Sequence, residues 1–80
     1  MRITVLFFGV AQDMAGIRQM PIEIPTGTSA GTLRRVLAER FSGLDEGLGY
    51  ALAVNEKLCT DDHPLSDGDV AAVLPPVSGG

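Results

Sequence analysis

The sequence predicts an α+β roll in which one main helix lies across one face of a mixed sheet. Three observations carry this. The segments "RITVLFF" (2–8) and "VAAVL" (70–74) are apolar on both alternation faces, as strands buried centrally in a sheet are. A single stretch between them has apolar residues at one-face helical spacing. Shorter strand-like runs, separated by Gly, Pro and Asp turn signals, supply the rest.

Taken in order, Arg2 to Phe8 is β-branched and aromatic and ends at Gly9. Ile3, Val5 and Phe7 point one way, and Leu6 and Phe8 point the other beside Thr4. "VAQDMAG" reads as a short helical turn stopped by Gly16. "RQMPIEI" is a second strand, which Pro21 marks as an edge. "PTGTS" breaks the chain, and Thr28 or Ser29 can cap the helix that follows. Ala30, Leu33, Val36, Leu37 and Phe41 form its apolar stripe, with Arg34, Arg35, Glu39 and Arg40 on the wet side. Gly31 weakens the first turn, and no acidic residue completes a capping box. "YALAVN" and "KLCT" are short strands around a turn at Asn55–Glu56. "DDHPLSDGD" is a turn-rich link in which Asp67–Gly68 is the strongest signal. The first and last strands belong side by side at the centre. One helix covers one face only, so Leu6, Phe8 and Leu74 are expected on an uncovered apolar face that marks a protein partner.

Composition narrows the function. The 80 residues suit one small domain, residues 1–74, with an extended tail at 75–80. Apolar residues make up 45% and the mean hydropathy is +0.22, an excess expected to face a partner. A net charge of −4 and a pI near 4.6 argue against nucleic-acid binding and against docking on anionic membrane. One cysteine cannot form an internal disulfide, no apolar run approaches membrane-spanning length, and no secretory leader opens the chain. The expectation is a soluble cytoplasmic protein.

Candidate chemistry in the body of the chain is sparse. Cys59 reads as a small buried hydrophobe with no cationic neighbour in sequence to activate it. His63 lies in a turn, where adjacent residues rarely converge on a metal. Asp61, Asp62, Asp67 and Asp69 read as turn formers whose carboxylates accept backbone amides, not as an acid–base pair. Arg34, Arg35 and Arg40 read as a solvated helix face. There is no phosphate loop, nucleophile elbow or zinc spacing.

The last residues, "LPPVSGG", are different. An α-carboxylate is a poor electrophile until adenylated, after which an amine or sulfur nucleophile can displace AMP. Gly79 and Gly80 carry no side chains and could thread a narrow channel. Pro75 and Pro76 stiffen the stalk and reduce the entropy lost on ordering it. Pro75 to Gly80 could reach roughly 20 Å when extended.

Together, "VLFFG", "AVN" and "HPLSDGD…PPVSGG" resemble the ubiquitin-like sulfur carriers of the β-grasp fold, and among them the molybdopterin synthase small-subunit family, over nearly the whole chain. The resemblance implies a carrier that is not itself a catalyst and binds no cofactor or metal of its own. It implies that an activating enzyme adenylates the Gly80 carboxylate with ATP and that a sulfur donor converts it to a thiocarboxylate. The tail, with Gly79 threading, would then enter a large subunit and deliver sulfur to cyclic pyranopterin monophosphate for molybdenum cofactor biosynthesis. The family pattern further implies a heterotetramer, with partner contacts at Phe8, Leu58 and Leu74 and along Pro75, Pro76 and Val77. The chain departs from the pattern at Gln12, where members often carry Arg, and at Val70, where they often carry an acidic residue. Three alternatives stay open: a thiazole-pathway sulfur carrier, a ubiquitin-like protein modifier, and a plain interaction domain with an inert tail.

Overall fold

Alternating β-branched and aromatic side chains build β1 (Arg2–Phe7), which buries Ile3, Val5 and Phe7 and leaves Thr4 and Leu6 partly covered. The computed structural model describes residues 1–41, 44 and 50–75, so of the tail only Pro75 lies within the described residues. After β1 come α1 (Val10–Ala15) and β2 (Gln19–Glu23). α1 stops at Gly16, whose φ of 77° is left-handed and whose N–H donates to the Gln12 carbonyl at 2.9 Å. α2 (Ala30–Arg40), β3 (Ala51–Val54), β4 (Lys57–Leu58) and β5 (Val70–Leu74) complete the described elements.

The sheet order is β2-β1-β5-β3-β4. β1 and β5 are parallel neighbours, in register from Thr4↔Val70 to Phe7↔Val73, and the other pairs are antiparallel. This is the β-grasp roll, with the first and last strands away from the sheet edges. A parallel pair needs a long crossover, and everything from α1 to β4 supplies it here. Pro21 falls in the edge strand β2, where a missing donor is tolerated. The hairpin turn forms at Asn55 and Glu56, with φ of 52° and 70°.

α2 packs on one face of the sheet. Ala30, Leu33 and Leu37 are buried with Ile3, Val5, Phe7, Leu52, Ala71 and Val73 in one core, and Val36 and Phe41 pack against its margin. Phe41 meets Phe7 edge to face, ring centroids 5.4 Å apart. Ser29 caps the helix: its Oγ accepts the Thr32 N–H at 3.3 Å and donates to Thr32 Oγ1 at 3.2 Å, in place of the absent acidic partner.

Three sequence expectations are corrected. "KLCT" is a strand over Lys57–Leu58 only. His63 N–H donates to the Thr60 carbonyl at 3.1 Å and the Thr60 hydroxyl donates to the Asp62 carboxylate, which turns the chain out of the sheet toward α2. Cys59 therefore lies beyond the strand and is half-buried. Arg34 is not a solvated helix residue. Its Nη1 donates to Asp61 at 3.1 Å, its guanidinium lies 4.8 Å from the Tyr50 ring centroid, and its carbonyl accepts the Tyr50 hydroxyl at 3.3 Å.

Gly31 is the third correction. The Asp61 turn supplies carbonyls to the orphan donors of α2: Gly31 N–H donates to Asp61 at 2.8 Å and Ala30 N–H to His63 at 2.9 Å. That approach leaves no room for a side chain, since a Cβ at Gly31 would stand 2.9 Å from Asp61 Cβ and 3.0 Å from its carbonyl oxygen. Helix propensity alone favours Gly31→Ala by about 1 kcal/mol. Overpacking against backbone outweighs it, and Gly31→Ala is expected to destabilise the fold by about 1–2 kcal/mol in urea unfolding. A stabilised variant would show that the turn yields freely.

Candidate functional site: the open sheet face and the root of the tail

Side chains alternate across a sheet, so what β1, β3 and β5 do not turn toward α2 they turn to the other face. Register fixes the composition of that face. Leu6, Ala72, Ala53 and Leu58 are paired in one row across β1, β5, β3 and β4. That row spans three interstrand steps, about 14 Å. Leu74 pairs with Ala51, and Val70 with Thr4, on the same face. Phe8 lies one residue beyond β1 but still donates its N–H to the Val73 carbonyl at 3.3 Å. Alanines thus form a low floor, and Leu6, Phe8, Leu58, Val70 and Leu74 stand around it as a shallow apolar dish.

No described element covers the dish. Leu58 is 72% exposed, Phe8 46% and Val70 37%, while Leu6 and Leu74 are half-buried. Burying such side chains is worth about 1.5–3 kcal/mol each, so leaving several in water is costly unless a partner covers them. Leu58 and Leu74 lie on this face and Phe8 at its end, against the β1–β5 pair. Sequence reasoning named Val70 only as a departure from the family pattern and did not single out the alanine floor, although period-two alternation through "VAAVL" and "ALAV" places both on this face.

β5 carries the dish directly into the tail. Pro75 is half-buried against Gly9, where an added Cβ would come within 3.3 Å of the proline Cγ. The opposite end of β5 is held by a dense polar clasp. Asp67 Oδ1 accepts the Arg2 N–H at 2.7 Å, and Gly68 N–H donates to the Arg2 carbonyl at 2.8 Å. Asp69 accepts the Ser66 N–H on one oxygen at 2.7 Å and Asn55 Nδ2 on the other at 2.9 Å. Asn55 in turn accepts the Val70 N–H at 3.0 Å and donates its own N–H to the Val70 carbonyl at 2.8 Å. These carboxylates are spent on backbone and amide donors, which leaves them structural. The importance of Asn55 beyond its turn was not visible in sequence, because its partners lie 14 and 15 residues away.

The other titratable candidates stay apart. His63 is exposed in its turn, and among the described residues no three His, Cys, Asp or Glu side chains are placed to hold a metal ion. Burial pushes the Cys59 thiol above its ordinary value, the Asp61 charge pushes it further, and Arg34 opposes both from a position that sequence spacing did not reveal. Its Sγ lies 3.6 Å from the Leu52 carbonyl.

Comparison with known proteins decides the family. The ThiS family profile matches residues 5–80. The chain belongs to the ThiS family. It is 36% identical over 81 residues to the molybdopterin synthase sulfur carrier subunit of Escherichia coli, covering 98% of this chain and 99% of that one. Among solved structures it resembles a putative molybdopterin converting factor subunit 1 from Pyrococcus furiosus, with a TM-score of 0.85 at 29% identity over 95% of this chain and 98% of that one. It also resembles a chain from the complex of subunits 1 and 2 of the molybdopterin-converting factor of Helicobacter pylori, with a TM-score of 0.69, 35% identity and full coverage of both chains.

The thiol geometry makes a checkable statement. With the Cys59 pKa raised, alkylation by iodoacetamide at pH 8 is expected to be slower than for a free cysteine peptide and to rise with pH to a midpoint above the ordinary thiol range. Asp61→Asn removes the neighbouring negative charge, lowers that midpoint and accelerates modification. Equal rates for the two proteins would show that Asp61 does not act on the thiol.

Proposed function

We propose that the chain is the sulfur-carrier subunit of a molybdopterin synthase, with sulfur carried on the Gly80 carboxylate. One observation carries the reading: the exposed apolar dish runs without interruption along β5 into the root of "PPVSGG". A docking face joined directly to a slender stalk suits a protein that is held by its sheet while its tip is worked on elsewhere. Relatives that carry the sulfur-carrier name and match over nearly their whole length support it.

In this proposal an activating enzyme binds the chain and brings Gly80 to ATP. A carboxylate oxygen attacks the α-phosphorus and pyrophosphate leaves, giving an acyl adenylate. A sulfur donor then displaces AMP, which departs with the former carboxylate oxygen, and a thiocarboxylate remains. The loaded chain docks its dish on the large subunit and threads Gly79 and Gly80 into that subunit's active site. There the terminal sulfur attacks an oxygen-bearing carbon of cyclic pyranopterin monophosphate and that carbon–oxygen bond breaks. Water then cleaves the resulting Gly80 thioester, leaving the sulfur on the pterin and releasing the Gly80 carboxylate for another cycle. Two deliveries build the dithiolene. The reacting groups other than the tip belong to the large subunit, and a complex of two small and two large subunits would serve both deliveries. Phe8, Leu58 and Leu74 are the anchors of docking, and Pro75, Pro76 and Val77 line the passage of the stalk. Cys59, half-buried with a raised pKa, is a poor sulfur carrier by comparison.

Removing Gly80 shortens the stalk by roughly 3.5 Å. Since a misplacement of ~1 Å can cost two orders of magnitude, the truncated chain is expected to fold normally yet lose at least ~100-fold in thiocarboxylate formation. Intact mass after incubation with activating enzyme, ATP and a sulfur source reads this directly, as replacement of one oxygen by sulfur. Conjugates to other proteins in that incubation would favour a modifier, and wild-type turnover by the truncated chain would reduce the tail to an inert end.

Phe8→Asp places a charge at the rim of the dish. It is expected to weaken large-subunit binding by about 2–4 kcal/mol and leave the monomer folded. An unchanged titration would remove the dish from the interface.

A further inference from the structure

Six large apolar side chains are exposed among the described residues, and the dish accounts for Phe8, Leu58 and Val70. The other three are Val10, 48% exposed, Met14, 42%, and Ile17, 39%. Val10 and Met14 lie four residues apart on α1 and share one face, and Ile17 follows just past Gly16. α1 is only six residues long and fully buries Ala11 alone. The core therefore explains why Ala11 points inward, but not why Val10 and Met14, one turn apart, stand in water.

Their position suggests the reason. Gly9 joins Phe8 to Val10, and the backbone folds tightly there: Ala11 N–H donates to the Phe8 carbonyl and Gln12 N–H to the Gly9 carbonyl, each at 3.0 Å. Gly9 is also the residue packed against Pro75, where the tail leaves the sheet. The tail root thus has the rim of the dish, at Phe8, on one side of Gly9 and the start of the α1 ridge, at Val10, on the other. Phe8 and Val10 are only two chain steps apart, within about 7.6 Å.

We infer that Val10, Met14 and Ile17 form a second wall of the docking surface and are covered by the same partner as the dish, the large subunit that admits the tail. The inference rests on the proposed function and extends its interface from the sheet to the helix. A protein that takes the stalk into a cleft presents two lips to the tail root. One lip meets the dish, and the other meets whatever stands across Gly9, which is this ridge. The ridge begins two residues from Phe8 at the rim of the dish, close enough for one partner to cover both. Asp13 is the only charged side chain on α1 and lies beside the ridge. The lip that fits is accordingly apolar, with a basic group at its margin.

The test titrates the molybdopterin synthase large subunit of the same organism with wild-type chain, Val10→Glu, Met14→Glu and Phe8→Asp. Val10 and Met14 are exposed, so both ridge variants should keep the wild-type thermal midpoint. Each is expected to weaken binding at least tenfold, and the double ridge variant further. Wild-type affinity for both ridge variants while Phe8→Asp binds weakly would overturn the inference and leave the proposed function standing. A wild-type chain that does not bind the large subunit would overturn both. If the ridge variants abolish self-association of the isolated chain but bind the large subunit normally, the ridge serves a second copy and the inference fails.

Discussion

The parallel pairing of β1 with β5 is the constraint on which the rest of the molecule depends. It joins the first strand to the last, so forming it closes nearly the whole chain into one loop. Its register sets Val5 beside Ala71 and Phe7 beside Val73 under α2, and Leu6 beside Ala72 on the opposite face. A slip of one residue would turn Ala71 and Val73 outward and press Val70, Ala72 and Leu74 into the core. The core and the open apolar face are therefore set by the same decision. Pro75 inherits it too, since it follows β5 without an intervening loop.

The clasp formed by Asp67, Asp69 and Asn55 makes that register secure. Parallel pairing is slightly weaker per residue than antiparallel, and β5 has only five residues in which to establish it. Fixing its start to Arg2 on one side and to the β3–β4 turn on the other supplies the missing definition. Polar groups that could have been read as acid–base machinery are consumed in holding a strand.

Among the described residues α2 is the helix that packs across the sheet, and it covers one face. The open face is thus a consequence of the fold as much as a device. The chain limits the cost by flooring the dish with alanine and placing its larger side chains at the rim. The crowded approach of Asp61 to α2 is the counterpart on the covered side. There a glycine unfavourable to the helix is needed because a turn carbonyl must reach the first amides.

The sequence by itself determined the strand faces, the amphipathic stripe of α2, the stops at Gly16 and Asn55–Glu56 and the central placement of the two-sided strands. Each of these is written in periodicity or turn chemistry within a window of about ten residues. Phe8 and Leu74 could be placed on the open face from the same alternation, and Leu58 was named from the family resemblance. Only the tertiary structure decided that Arg34 leaves solvent for Tyr50 and Asp61, that Gly31 serves close packing, that β4 ends at Leu58 and that Asn55 locks β5. Those outcomes depend on groups far apart in the chain, 27 residues for Arg34 and Asp61 and 65 for Arg2 and Asp67. No local preference encodes such a meeting, because its energy exists only once the chain path has brought both partners to the same place.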